Sequence, residues 1–208
     1  MKRELIQEGA EAKIFKKTDN NIITIIKQRI NKKYRINAIN KLLIPSRTRR
    51  EAKVISKLEK LNIKVPKLIF NNKKDILEME FINGDKIRDI LDNNIELAEE
   101  IGNYLAIMHD NNIIHGDLTT SNMILDKNSD LVFIDFGLSL FSHRLEDKAV
   151  DIHLFKQALE SKHHKVFEQA YNSFIKGYKK SKNYKEVIQR LKNVEKRGRN
   201  IGKNWYDK

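Results

Sequence analysis

The hydrophobic pattern of this chain predicts a strand-rich first part. Five short runs rich in apolar and β-branched residues are separated by polar or glycine-containing stretches. Runs of this length and composition are typical of β-strands. They cover residues 3–7, 13–17, 22–26, 68–70 and 75–81. We therefore expect an antiparallel sheet near the N-terminus.

One long helix interrupts these strands. Its apolar stripe follows the three- and four-residue spacing of a helix face. The stripe consists of Val54, Ile55, Leu58 and Leu61. Pro45 and Ser46 precede it, and proline in a first turn beside a capping serine predicts that the helix begins there.

Beyond Ile82-Asn83-Gly84 the pattern becomes helical. Apolar residues at helical spacing predict a helix that ends near His109; they are Leu97, Ile101, Leu105 and Met108. Two strand-like runs follow at 123–125 and 131–134, and three further helices are predicted at about 147–160, 164–180 and 184–196.

Composition narrows the class of protein. Of the 208 residues, 40% are hydrophobic and 33% charged, which is enough to build a core with a polar surface. No apolar run approaches the roughly 18 residues of a membrane span, and the N-terminus lacks the apolar segment of a signal peptide. The chain has no cysteine, which is compatible with a reducing compartment. We expect a cytoplasmic protein without membrane contact.

The strongest motif lies around the two strand-like runs. Asp117 follows His115-Gly116, and Asn122 comes five residues later, which is the spacing of a kinase catalytic loop. Asp135-Phe136-Gly137 follows after the second run. Phosphoryl transfer needs one carboxylate to accept the proton of the acceptor hydroxyl, and an amide and a second carboxylate to hold magnesium. We assign the first role to Asp117 and the metal to Asn122 and Asp135.

A lysine and a glutamate complete this kinase-like pattern. Lys27 ends the third predicted strand, where kinases place a lysine that contacts the ATP phosphates. Glu51 lies on the apolar stripe of the helix, and a carboxylate that faces a core needs a partner. Lys27 is the favoured partner. The alternative is an arginine of the same helix, at position 47, 49 or 50.

Two further segments are candidates for ATP binding. The turn Gly9-Ala10-Glu11-Ala12 has small residues that let backbone N–H groups approach phosphates. It holds a single glycine, so an ordinary hairpin turn is the alternative. We place the hinge between two lobes at 80–84, where the backbone of Glu80 and Ile82 would bind adenine.

Asp151 falls within the otherwise apolar start of the helix predicted at about 147–160. In kinases an aspartate at this place holds the catalytic loop through backbone N–H groups. An ordinary first-turn aspartate, favoured by the helix dipole, is the alternative.

Several motifs together resemble one family. They are Gly9-Ala10-Glu11-Ala12, 26–29 with 33–35, Arg47-Thr48-Arg49-Arg50-Glu51-Ala52, the loop 115–122, Asp147-Lys148-Ala149-Val150-Asp151 and Arg197-Gly198-Arg199. In these motifs the chain resembles the small atypical Ser/Thr kinase of the KEOPS (EKC) complex, which is PRPK-type and close to the RIO kinases.

The resemblance implies an α+β, two-lobed, protein-kinase-like fold with a minimal C-terminal lobe, divided at 1–82 and 83–208. It implies binding of ATP and Mg²⁺, ATPase activity and Ser/Thr autophosphorylation, in support of threonylcarbamoyladenosine formation next to the tRNA anticodon. The implied partners are a sugar-kinase-fold (ASKHA) threonylcarbamoyltransferase, a Cgi-type small subunit, and tRNA through the assembled complex.

Two other functions share parts of this pattern. Small-molecule phosphotransferases of the aminoglycoside or choline type also carry the loop motif, but they usually need a larger helical insertion than the 71 residues after Gly137 provide. A pseudokinase scaffold is disfavoured because Lys27, Glu51, Asp117, Asn122 and Asp135 are all present.

The charge is concentrated at the C-terminus. Residues 179–208 carry a net charge of +8 of the chain's +13. Such a balance favours contact with nucleic acid or an acidic partner. We expect the segment 197–202, with two glycines and little to bury, to be mobile on its own and to contact tRNA phosphates in the complex.

Overall fold

The computed structural model describes residues 2–9, 11–31 and 37–203. It divides into two compact units, an N-terminal unit of Met1–Gly84 with Val132–Leu138 and a C-terminal unit of Asp85–Leu131 with Ser139–Lys208. Ala10, the motif at 33–35 and the end of the tail at 204–208 lie outside the described residues. The boundary after residue 82 stays a prediction.

The N-terminal unit contains a five-stranded antiparallel sheet in the order β1-β2-β3-β5-β4. The strands are β1 Lys2–Glu8, β2 Ala12–Asp19, β3 Ile22–Arg29, β4 Leu68–Asn71 and β5 Ile76–Glu80. Each matches a predicted run within a few residues. Asn20 and Asn21 join β2 to β3, and both have positive φ, as a two-residue hairpin turn requires.

The helix of this unit is longer than predicted. It is α1, Asn37–Lys60, and Pro45 lies inside it, so the predicted start at Pro45-Ser46 is wrong. A proline removes one helical N–H bond, and the helix nevertheless continues through it. At the other end Asn62 has positive φ, and the N–H of Ile63 donates to Leu58 in a Schellman arrangement.

The predicted apolar stripe is the face that α1 buries. Val54, Ile55 and Leu58 are fully buried, and α1 packs against β4 and β5. Burying such side chains contributes roughly 1.5–3 kcal/mol each. The same packing holds Glu51, one turn earlier on the helix, in the interior of the unit.

The rest of the chain is mainly helical. The helices are α2 Ile87–Ile90, α3 Leu97–Asp110, α4 Leu145–Lys162, α5 Phe167–Tyr178 and α6 Tyr184–Lys203. The short strands are β6 Gly84–Lys86, β7 Ile113–Ile114, β8 Met123–Asp126, β9 Leu131–Phe133 and β10 Leu140–Phe141. In the C-terminal unit, β10 pairs antiparallel with β7. Among the described helices, none combines the length and apolar character needed to cross a membrane.

The last helix corrects one expectation. The backbone of 197–203 continues α6 instead of forming a separate mobile segment. In the first turns of α6 the side chains of Val187 and Leu191 are buried, and the helix packs along α4. Arg197 forms an ion pair with Glu146 of α4 at 2.9 Å. Once a helix is nucleated by packing, adding residues costs little, so two glycines do not end it.

Helices α3 and α5 approach each other backbone to backbone at two glycines. A Cβ at Gly102 would lie 2.1 Å from the carbonyl oxygen of Phe174, and one at Gly177 would lie 2.0 Å from that of Glu99. Neither helix can accept a side chain at these positions without moving away from the other. This close approach brings Tyr178 of α5 to His109 of α3.

We expect Gly177→Ala to destabilise the protein by more than about 2 kcal/mol, because the new methyl group overpacks against backbone that cannot rotate aside. Gly9→Ala is the control, since a Cβ there meets only the Ala12 oxygen at 3.5 Å. The free energy of unfolding from urea titration measures both. Equal stability of the two variants would show that α3 and α5 separate easily.

Candidate active site

Three of the predicted site residues meet in the N-terminal unit. Lys27 lies on β3, and its Nζ is 2.7 Å from Glu51 Oε1 and 2.7 Å from Asp135 Oδ1. The predicted contact between Lys27 and Glu51 is therefore present. Glu51 is only 1% exposed, so its charge is compensated by protein groups and not by water.

A second cation binds the same glutamate. Arg29 donates from Nη2 to Glu51 Oε2 and is itself buried. Arg47 is one of the alternative partners of Glu51 that the sequence allows, but it pairs with Glu11 of the β1–β2 turn. Arg29 was not predicted as a site residue. The sequence does hold a signal for Arg29, because it lies two residues after Lys27 on the same strand and such residues point to the same face.

The lysine is held in its charged form. Burial alone lowers the pKa of Lys27, but the carboxylates of Glu51 and Asp135 outweigh this effect, and the pKa is raised above its usual value. A buried ammonium that remains charged beside a carboxylate is suited to contact a phosphate.

The backbone of the Asp135-Phe136-Gly137 turn lets the Asp135 carboxylate and the Lys27 ammonium approach each other beside Gly137. Asp135 has φ of 60°, and the N–H of Gly137 donates to its Oδ1 at 3.2 Å. A Cβ at Gly137 would lie 3.0 Å from that oxygen and 3.1 Å from the Lys27 Nζ. The glycine therefore leaves room for this pair, and the Asp135 carboxylate is half exposed.

The predicted ATP-binding segments lie at the ends of strands. The N–H of Gly9 donates to the Ala12 carbonyl at 2.9 Å and closes the turn between β1 and β2. Glu80 ends β5, where its N–H donates to Lys67 at 2.9 Å. Ile82 follows, outside any regular element. Their roles with phosphate and adenine remain predictions.

In the C-terminal unit, the structure joins Asp117 to Asn122. The Asn122 side-chain nitrogen donates to the Asp117 backbone carbonyl and to its Oδ2, each at 2.9 Å. These two bonds orient the amide of Asn122 and use only its nitrogen. The amide oxygen is therefore the atom that would bind a metal.

Asp151 holds the preceding residues of the loop. Its Oδ2 accepts the N–H of His115 at 2.6 Å, and its Oδ1 accepts the N–H of Gly116 at 2.7 Å. The role predicted from kinases is thus confirmed, and the first-turn alternative is set aside. Gly116 has φ of 80°, a conformation in which glycine avoids the strain of a side chain.

The comparisons with known proteins agree with this geometry. The RIO domain family model matches residues 7–152. The KEOPS complex subunit Bud32 of Pyrococcus abyssi is 36% identical over 97% of this chain and 98% of its own length. The EKC/KEOPS complex subunit BUD32 of Enterocytozoon bieneusi is 40% identical over 94% of this chain and 98% of its own length.

The chain belongs to the Bud32 family of RIO-domain proteins.

Other relatives carry a Bud32-like sequence as one part of a longer protein. The probable bifunctional tRNA threonylcarbamoyladenosine biosynthesis protein of Methanocaldococcus jannaschii is 39% identical over 95% of this chain, which spans only 37% of that relative. Among solved structures, the Rio2 kinase–ADP/Mg²⁺–phosphoaspartate complex from Chaetomium thermophilum matches with a TM-score of 0.61 at 13% identity, covering 94% of this chain and 70% of that one. That likeness shows a two-lobed, kinase-like fold.

Each unit of this Bud32-family chain carries a donor atom of a type that Mg²⁺ accepts. The N-terminal unit has the half-exposed carboxylate of Asp135, and the C-terminal unit has the amide oxygen of Asn122. Within the described ranges, no group of three His, Cys, Asp or Glu forms a closed metal site. Mg²⁺ that is held mainly by phosphates and water needs only one or two protein ligands.

One contact of the loop had no signal in the sequence. Thr120 Oγ1 lies 3.1 Å from His163 Nε2, and His163 Nδ1 lies 2.5 Å from Asp92. Thr120 and His163 are buried. His163 follows α4 and Asp92 precedes α3, so only the folded chain brings them to the loop.

Proposed function

We propose that this chain is the ATP-dependent kinase and ATPase subunit of a KEOPS complex, and that it supports threonylcarbamoyladenosine (t6A) modification of tRNA next to the anticodon. One observation carries the proposal. A chain matched along its whole length to KEOPS subunits retains each of the groups that phosphoryl transfer uses.

Each group has a chemical task in this proposal. The Lys27 ammonium, kept charged by Glu51, would contact the phosphates of ATP, and Asp135 and Asn122 would hold Mg²⁺. When bound, Mg²⁺ supplies charge neutralisation on the phosphates. Asp117 orients the acceptor hydroxyl, or water in ATP hydrolysis, and accepts its proton.

The proposed acceptor in protein phosphorylation is a Ser or Thr hydroxyl, first of the chain itself. A carboxylate such as Asp117 can accept a proton from serine, threonine or water without changing its position. We therefore expect autophosphorylation with labelled ATP to give phosphoserine or phosphothreonine on acid hydrolysis. Label only on tyrosine would contradict this specificity.

The proposed partners follow from the family and from its longer relatives. In the Methanocaldococcus jannaschii relative, a Bud32-like part occupies 37% of a protein named for t6A biosynthesis. The partner that the family resemblance implies is a threonylcarbamoyltransferase of the sugar-kinase fold (ASKHA), and we propose that this chain associates with it. A Cgi-type small subunit and tRNA bound by the assembled complex complete the proposal, which is consistent with the net charge of +13.

Two measurements test the function. The tagged chain is captured from native extract, its partners are identified by mass spectrometry, and the captured complex is assayed for t6A formation on tRNA. In parallel, the purified chain is incubated with labelled ATP alone, with tRNA, and with a panel of aminoglycosides and choline. We expect a t6A-forming complex and ATP hydrolysis without labelled small molecules. Efficient phosphorylation of an aminoglycoside or choline would favour the small-molecule alternative.

We expect Asp135→Ala to weaken the magnesium dependence of nucleotide binding. Loss of one charged contact should reduce affinity at saturating Mg²⁺ by about 10- to 100-fold. Asp135 is half exposed, so the fold should tolerate the change. Calorimetric titration with ATP across a magnesium series measures the effect.

Asp19→Ala is the matched control, because Asp19 is an exposed aspartate in the same unit. It should leave the magnesium series unchanged. Unchanged affinity of the Asp135 variant at every magnesium concentration would remove Asp135 from the metal site.

A further inference from the structure

A buried histidine connects two helices to the loop that carries Asp117. His109 lies on α3, with Nδ1 2.8 Å from the Tyr178 hydroxyl and Nε2 3.3 Å from Asp151 Oδ2. All three side chains are fully buried. The same Asp151 oxygen accepts the N–H of His115. The order of contacts therefore runs from Tyr178 through His109 and Asp151 to the loop backbone.

The hydrogen-bonding chemistry of the three side chains determines which of their atoms carry hydrogen. A carboxylate only accepts hydrogen bonds, so the His109 nitrogen that faces Asp151 must carry hydrogen. Burial lowers the pKa of His109 and favours the neutral ring. A neutral ring with hydrogen on Nε2 has an unprotonated Nδ1. The Tyr178 hydroxyl must therefore be the donor in the bond to Nδ1.

The surroundings of Tyr178 favour its hydroxyl as the donor in the hydrogen bond to His109 Nδ1. Burial raises the pKa of its hydroxyl, which stays protonated and able to donate. The neighbouring Ser181 hydroxyl donates its own proton to Asp110 Oδ1 at 2.8 Å. The phenol also meets the His109 ring edge-on at a centroid distance of 5.4 Å, so both rings are confined.

The placement of Tyr178 depends on the α3–α5 contact. Gly102 faces the backbone nitrogen of Tyr178, and a Cβ there would lie 2.9 Å from it. The close approach at the two glycines therefore fixes where the Tyr178 backbone lies against α3.

We propose that Tyr178 is a positioning residue for phosphoryl transfer. Asp151 requires hydrogen on Nε2, and the Tyr178 hydroxyl donates to Nδ1 and so fixes the position of the His109 ring. The Nε2–H of the fixed ring then orients the Asp151 carboxylate that holds the N–H groups of His115 and Gly116. The loop is thereby set at the residue immediately before Asp117. The catalytic part of this inference rests on the proposed function; the Nδ1 hydrogen bond and the loop restraint do not.

The test removes one oxygen atom. Tyr178→Phe keeps the buried ring, including its stacking on Phe174 at a centroid distance of 6.3 Å, and deletes only the hydroxyl. Tyr171→Phe is the matched control, since Tyr171 lies on the same helix and stacks on the same phenylalanine without contacting His109.

Three readouts are taken on the full chain. Nitrogen-15 NMR of the imidazole reports the His109 tautomer and the hydrogen bond at Nδ1, hydrogen exchange reports the amides of His115 and Gly116, and steady-state assays report kcat and KM for ATP. We expect the Nε2–H tautomer in all three proteins, with a hydrogen-bonded Nδ1 in the wild type and in Tyr171→Phe. In Tyr178→Phe the Nδ1 resonance should shift to that of an imidazole nitrogen without a hydrogen bond, the two amides should exchange about tenfold faster or more, and kcat should fall about tenfold at unchanged KM.

The outcomes separate this inference from the proposed function. An unchanged Nδ1 resonance or unchanged slow exchange in Tyr178→Phe would overturn the inference, whatever the enzyme does. A shifted Nδ1 resonance and faster exchange with unchanged kcat would overturn the positioning role. Absence of ATP turnover in the wild-type protein would instead contradict the proposed function, while the Nδ1 resonance and exchange data would still decide the loop restraint.

Discussion

Asp117→Ala should lower kcat for ATP turnover by about 100- to 10,000-fold, the contribution typical of a positioned general base. Nucleotide binding should persist, because Lys27, which we propose contacts the phosphates, and the Asp135 carboxylate belong to the other compact unit. Asn122 should also keep its place, since its amide nitrogen bonds the Asp117 backbone carbonyl, which the substitution retains. Single-turnover hydrolysis and calorimetric ATP binding measure the two effects separately.

Two controls make this result specific. Asp117→Asn keeps the shape of the side chain but cannot accept the proton, so it should be nearly as inactive. Asp89→Ala removes an exposed aspartate of the same unit, which bonds only its neighbour Arg88 among the contacts described, and should leave kcat unchanged. Wild-type turnover in Asp117→Ala would exclude this residue from the chemistry.

Glu51→Ala should cost about 3–5 kcal/mol of the free energy of unfolding, as expected when one partner of a buried ion pair is removed. The loss is large because two buried positive charges lose the carboxylate that they share. Lys27 and Arg29 are both buried and both bind this carboxylate, so the variant confines two cations without their shared anion. Urea titration of the full chain measures the loss.

A double-mutant cycle identifies the contact as the cause. Lys27→Ala and Glu51→Ala should each impair turnover, and their combined effect on stability should fall short of the sum by about 0.5–3 kcal/mol. Glu59→Ala changes an exposed glutamate of the same helix and should stay within about 0.5 kcal/mol of the wild type. Strict additivity of the first two substitutions would show that Lys27 and Glu51 do not interact in solution.

The elements that the sequence predicted well are those with strong local signals. The five strands, α3 and the helices after Gly137 follow from apolar spacing, which reflects the period of the backbone itself. The contact between Lys27 and Glu51 was also predictable, because a carboxylate on an apolar stripe requires a partner. Motif spacing likewise placed Asp117 beside Asn122 and Asp151 behind the loop.

Local signals failed at two helix boundaries. Pro45 indicates a helix start, yet α1 begins at Asn37 and continues through the proline. The glycines after residue 196 indicate a helix end, yet α6 continues to Lys203. The first turns of α6 pack along α4, so contact with another element stabilises a helix that its own residues would end.

By itself, the sequence determined the strands and most helices and indicated which groups would serve phosphoryl transfer, because periodicity and motif spacing are properties of neighbouring residues. Only the tertiary structure decided that Gly102 and Gly177 bring α3 and α5 together and that Tyr178 reaches His109. These contacts join residues far apart in the chain. Their geometry depends on how helices and strands pack, which no local pattern encodes.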